Sequence, residues 1–91
     1  MRTRWTSKAY SDLARLHQFL FVVNPSAAAA VIRSLTKAAA NLTRHPRIGE
    51  QLKDYGEREV RRVIVGSYEM RYEVQAKTIH VLRIWHSREE R

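Results

Sequence analysis

A cluster of histidines and arginines in the C-terminal third holds most of the residue types that could do chemistry in this chain. His80 and His86 stand six positions apart in an extended segment, on one face by alternation and about 20 Å apart, too far to share a metal. Metal-independent cleavage of a phosphodiester would need a base, an acid and cations around one phosphate. His86, Glu50, Arg62 and Arg71 supply those types. Similar sets arise by chance in many basic domains, so no catalytic residue is favoured on that ground. Arg83 and Trp85 alternate onto one strand face, a pairing that suits either a binding surface or a packed cation–π contact. There is no cysteine, no HExxH and no glycine-rich phosphate loop, and neither a metal nor a cofactor is expected.

The elements that would position these groups read clearly. Tyr68, Met70, Tyr72 and Val74 alternate with Glu69, Arg71, Glu73 and Gln75, the period of a strand with one buried face. Gly66-Ser67 suits a tight turn, because Gly reaches positive φ freely. Ala76-Lys77 suits one less well and predicts a slightly longer loop. Residues 60–86 are therefore an antiparallel three-stranded meander. Residues 1–6 read as a further strand. Residues 7–23 form a helix capped by Thr6 or Ser7, with Tyr10, Leu13, His17 and Leu20 at helical spacing. Asn24-Pro25 caps and starts a second helix over 25–43, rich in alanine and antiparallel to the first. Residues 44–59, with Pro46, Gly49 and Gly56, read as a loop. The fold class is α+β, a β-α-α-β-β-β chain with a helical hairpin on one face of a small antiparallel sheet. Residues 1–91 make a single domain.

Composition narrows the partners. The formal charge is +8, and 13 of 17 basic residues are Arg, which favours an acidic partner such as nucleic acid or an acidic protein segment. The hairpin leaves one sheet face open. Arg71 points to it, together with Arg83 and either Arg61 or Arg62, because alternation alone does not phase the strands. An open face with several arginines and an aromatic would bind anions. Phe19 to Val23 is apolar all round, so it either plugs into the second helix and sheet or docks another chain. Apolar runs stay far below the roughly 20 residues needed to span a bilayer, and no secretory signal is visible. A soluble, cytoplasmic protein without membrane contact is expected.

Taken together, several stretches carry a resemblance. They are the W-T that ends the first strand, the hairpin broken at N-P, the H-P-R-I-G joint, R-R-V-I-V-G-S-Y-E-M-R-Y-E-V, and I-H-V-L-R-I-W-H-S-R-E-E-R. In order and spacing the chain resembles the ParE/RelE superfamily of type II toxins over nearly its whole length. The resemblance implies a cognate antitoxin whose extended C-terminal part wraps the toxin. ParE-like members poison DNA gyrase, and RelE-like members cleave mRNA on the ribosome. RelE-like members usually place Arg directly after the Tyr that opens the third strand; Glu69 stands there in this chain. RelE's lysine pair on the second strand is replaced by Arg61 and Arg62, whereas Glu50 and His86 fall where some ribonuclease members carry Glu and His. The long hairpin and the H-P-R-I-G joint are ParE-like. The resemblance thus favours gyrase inhibition, with ribosome-dependent mRNA cleavage by Glu50, Arg62, Arg71 and His86 as the alternative. Target binding would fall to Arg61, Arg71, Arg83, Trp85, His86, Arg88 and Arg91, and antitoxin binding to Phe19, Phe21 and Val22.

Overall fold

A computed structural model describes residues 1–89. Strand β1 (Arg2–Trp5) leads into helix α1 (Ser7–Val23) and helix α2 (Pro25–Asn41). Strands β2 (Glu50–Gln51), β3 (Val60–Val65), β4 (Tyr68–Gln75) and β5 (Thr78–His86) follow. The sheet order is β1-β5-β4-β3-β2, with β1 parallel to β5 and the other neighbours antiparallel. The α+β reading and its order of elements hold.

Local chemistry explains the helix ends. The Thr6 hydroxyl accepts from the Ala9 N–H and caps α1. Asn24 serves both helices at once: its backbone N–H donates to the Leu20 carbonyl at 2.7 Å, and its side-chain oxygen accepts from Ala27 N–H at 3.1 Å. Pro25 then occupies the first turn of α2, where its missing N–H costs nothing. One residue therefore ends a helix, starts the next and reverses the chain.

The two helices cover one sheet face. Tyr68, Met70, Tyr72, Val74, Ile79, Val81 and Ile84 meet Ala9, Leu16, Leu35, Ala39 and Leu42 in a single buried cluster. The small Ala9, Ala28 and Ala39, all fully or almost fully buried, let backbones approach closely. The tip of the hairpin does not join this core. Phe19 is 73% exposed and Val22 81%, so the apolar helix end stays in solvent while Leu20 turns inward.

The structure differs from the sequence reading at four places. The stretch 44–59 is not wholly a loop: Glu50–Gln51 pair with Arg61–Arg62 as a fifth strand, and Lys53–Tyr55 form one 3₁₀ turn. Two residues are too few to show a period. The second helix ends at Asn41, and only single turns carry on to Arg44 and His45. Gln75 pairs with Thr78, so Ala76-Lys77 is a two-residue connection without any residue at positive φ. Finally, Arg71 pairs with Arg83 but Tyr72 with Val81, so Leu82 is the extra residue of a β-bulge. The bulge reverses the alternation of β5. His80, opposite Glu73, and His86, opposite Tyr68, therefore lie on opposite faces.

The H-P-R-I-G joint is seated on the sheet. The Gly49 N–H donates to the Tyr72 hydroxyl at 2.9 Å, and the Gly49 carbonyl accepts from Arg61 Nη1 at 2.7 Å. A Cβ at Gly49 would stand 2.5 Å from the Arg62 carbonyl oxygen and 2.7 Å from the Tyr72 hydroxyl. Gly49→Ala is expected to cost about 2 kcal/mol and to lower Tm by roughly 8–16 °C in a thermal melt. An unchanged Tm would show that the joint is not held against Tyr72.

Candidate functional site

Strand register decides which arginines share the outer sheet face. Glu50 pairs with Arg62, Arg62 with Arg71, and Arg71 with Arg83. Three guanidinium-bearing residues thus stand side by side across adjacent strands. The next row holds Ile64, Glu69 and Trp85. Arg61 is turned to the helix side, opposite Tyr72, where it anchors the Gly49 carbonyl and pairs with Glu59 at 2.8 Å. Arg61 is thereby a fastener of the loop and does not belong to the outer surface.

Like charges directly opposite one another on a sheet repel, so such a row requires compensation. Carboxylates provide it. Arg83 Nε meets Asp12 Oδ2 at 2.8 Å, Arg71 Nε meets Glu69 Oε2 at 2.8 Å, and Arg62 Nε meets Glu50 Oε1 at 2.8 Å. Glu69 also faces Arg62 Nη1 at 3.6 Å, and its side chain is only 3% exposed. Beneath them lies the Trp85 indole, with the Arg71 and Arg83 guanidiniums 4.8 Å and 4.9 Å from its ring centre. The Tyr55 hydroxyl accepts from Arg71 at 3.1 Å, so the 3₁₀ turn reaches across this face. Arg58 pairs with Glu73 at 2.8 Å and stacks on Tyr55. The expected bare cationic face is therefore internally neutralised and partly covered by residues 52–58.

Asp12 was the residue that sequence reasoning missed. β1 pairs with β5 only as far as Val81, which leaves the remaining β5 edge without a strand neighbour among the described residues. Helix α1 closes that edge with side chains. The Thr6 hydroxyl donates to the Leu82 carbonyl at 2.9 Å, Asp12 Oδ2 accepts from the Ile84 N–H at 2.8 Å, and Arg15 donates to the Ile84 carbonyl at 3.3 Å. Burial pushes the Asp12 carboxyl up, but the bonds from Arg83, the Ile84 N–H and Arg15 outweigh it and hold it below the usual aspartate value. The signal was available: Asp12 lies between Ala9 and Leu16 in the apolar stripe, where a carboxylate is buried only when paired.

Of the four residues proposed for cleavage, the fold brings three together and leaves His86 apart. Glu50, Arg62 and Arg71 lie on the outer face. His86 lies on the helix side, edge-on to Tyr68 with ring centres 5.2 Å apart, and its Nδ1 accepts from the Arg88 N–H. Glu89 accepts from the His86 N–H and from Arg15, closing the C-terminal turn. Arg88 is exposed, and Arg91 lies outside the described residues. Among the described residues no group of three or more His, Asp or Glu is placed to hold a metal ion. No helix among them is long and apolar enough to cross a membrane.

A chain of apolar grooves runs along the other side. One, of about 500 Å³, is lined by Leu16, Phe19, Leu20, Tyr68, His86 and Arg88 among others. Tyr68 and His86 also line the next, which continues to Val31 and Val65. Val65 is shared with a third groove, which passes Ile64 and ends at His45 and Ile48. Among the described residues the edge of β3 beyond Arg62 has no strand partner along this path.

Comparison with known proteins agrees with this architecture. Residues 3–91 match the family model of the ParE toxin of type II toxin-antitoxin system, parDE. The chain is 32% identical over 83 residues to Toxin RelE2 of Caulobacter vibrioides, covering 91% of each. It resembles a chain of the chromosomal ParDE TA system from P. aeruginosa with TM-score 0.78 at 22% identity, covering 94% of this chain and 95% of that one. A chain of the toxin-antitoxin complex RelBE2 from Mycobacterium tuberculosis gives TM-score 0.63 at 28% identity, covering 93% and 95%.

Asp12→Ala removes the partner of both Arg83 and the Ile84 N–H and is expected to cost about 2–3 kcal/mol in urea unfolding. Because the folded-state value is depressed, the Asp12 contribution is fully present above the ordinary carboxylate range near about pH 4 and is lost as pH falls through the folded value. The variant should therefore lose less stability than the parent between neutral pH and about pH 2. Equal acid sensitivity would assign the loss to other carboxylates.

Proposed function

Because this chain belongs to the ParE toxin family of type II toxin-antitoxin systems, we propose that it acts in the cytoplasm as a gyrase-directed toxin that works by binding. The observation that carries this reading is the separation of His86 from Arg62 and Arg71, with each guanidinium already tied to a carboxylate. Cleavage of RNA without a metal needs a proton acceptor, a proton donor and free cations around one phosphate. A phosphate brought to Arg71 would have to displace Glu69, which is buried beneath it and carries the same sign of charge. Cations that make no ion pair among the described residues, including the exposed Arg88, remain for a target, and Arg91 follows it in the chain. Arg71, Arg83 and Trp85 then shape the face as a fixed unit.

The ribosome-dependent alternative draws on the 32% identity to a relative named Toxin RelE2 and on the likeness to a chain of the RelBE2 complex. Against it stand the carboxylate at position 69 and the placement of His86 on the helix side.

An antitoxin fits the grooves. A net charge of +8 favours an acidic partner, and the grooves offer apolar contact along one continuous path ending beside the exposed Phe19, Phe21 and Val22. An acidic segment with spaced apolar residues, added at the free β3 edge and laid against the hairpin tip, satisfies both.

Purified protein is expected to inhibit supercoiling by gyrase or to trap linear DNA, and to leave mRNA intact on programmed ribosomes. The opposite pair of results would overturn the reading. His86→Ala should keep its toxicity in a growth assay, since His86 has no assigned chemistry. Phe19→Glu should weaken capture by the cognate antitoxin at least about tenfold, with Tm little changed because Phe19 lies outside the core.

A further inference from the structure

The cations of this molecule divide into two groups. Those in the middle of the outer face are neutralised. At the opposite sheet edge, Arg2 and Arg4 are exposed and make no ion pair among the described residues. Thr3 turns to the helices, where its hydroxyl donates to the Ala39 carbonyl, so alternation turns Arg2 and Arg4 away from them. Arg2 lies opposite Thr78, and Arg4 opposite His80. The Arg2 N–H also bonds the Lys77 carbonyl at 3.0 Å, which brings beside β1 a third cation that makes no ion pair among the described residues. Lys8 follows in the first turn of α1, which has no acidic residue. A cation there opposes the helix dipole, where a carboxylate would stabilise.

We propose that Arg2, Arg4, Lys8 and Lys77 form a grip for the phosphate backbone of DNA. Residues two apart on a strand repeat about every 6.7 Å. Consecutive phosphates of one duplex strand advance about 3.4 Å along the axis and also rotate about it, which separates them by roughly 6–7 Å. The strand edge therefore sets cations at a spacing a phosphate backbone can follow. An acidic protein segment suits this edge less, because none of the grooves described above is lined by a residue before Arg15. Such a segment has its apolar footing on the other side of the molecule. The inference deepens the gyrase reading, since it has the toxin holding the DNA as well as the enzyme.

The test uses a fluorescein-labelled duplex of roughly 20 base pairs, without gyrase, and fluorescence anisotropy over a salt series. Arg2→Ala with Arg4→Ala should weaken binding about tenfold and make the salt slope shallower by about 2, near 0.9 for each lost phosphate contact. Lys8→Ala with Lys77→Ala should act in the same direction. The comparison pair Arg33→Ala with Lys37→Ala, on α2, should leave the slope closer to that of the parent protein. Arg4→Glu should weaken binding beyond Arg4→Ala, with an unaltered circular dichroism spectrum. Equal effects of all three pairs, or no effect of the first two, would overturn the proposal and leave the arginines as charges that keep an edge strand from pairing with another chain. Because gyrase is absent, that outcome would not touch the supercoiling result, and failure to inhibit gyrase would not touch the anisotropy.

Discussion

Asp12 sits where helix α1 meets the half of β5 that β1 does not reach. Its two oxygens receive the Arg83 guanidinium and the Ile84 N–H. A short parallel strand at the edge of a sheet would otherwise leave backbone groups of its neighbour beyond the last pair without partners, and an unsatisfied group away from water costs about 1–3 kcal/mol. The same carboxylate also neutralises one end of the arginine row. Edge closure, helix docking and charge balance on the outer face thus meet at a single side chain. Thr6 and Arg15 complete the closure on either side of it.

Placing three arginines directly across neighbouring strands is unfavourable in itself. The chain offsets this with Glu50, Glu69 and Asp12, one carboxylate for each guanidinium, and with a tryptophan face on which two of them rest. The outcome is a nearly neutral patch at the centre of a strongly basic molecule. Asp12 and Glu69 are buried in these pairs while Glu50 stays exposed, and an exposed ion pair adds little stability. The excess positive charge consequently lies outside this patch, on the β1 edge and at exposed helix positions such as Arg33 and Lys37.

The β-bulge at Leu82 has a similar reach. One added residue reverses which face the last part of β5 presents. Without it, His80 and His86 would share a face and Trp85 would turn to the helices. With it, Ile84 enters the core, Trp85 supports the arginines, and His86 meets Tyr68 between two grooves.

Much of the fold was legible in the sequence. The alternation in Tyr68–Gln75, the Asn24-Pro25 junction and the glycine of the Gly66-Ser67 turn are local signals, since each arises from φ/ψ preference, capping or the period of a single element. The family resemblance rested on the order of such signals. What the site looks like was settled elsewhere. Whether Arg61 or Arg62 joins Arg71 and Arg83 depends on hydrogen-bond register between strands, and periodicity within one strand says nothing of register. The bulge, the two-residue β2 and the reach of Asp12 across about seventy residues of chain are likewise pairings between distant segments. Sequence established that this is a basic α+β toxin-like domain with arginines on its sheet; only tertiary contact decided that those arginines face their own carboxylates, because charges find partners through space and not along the chain.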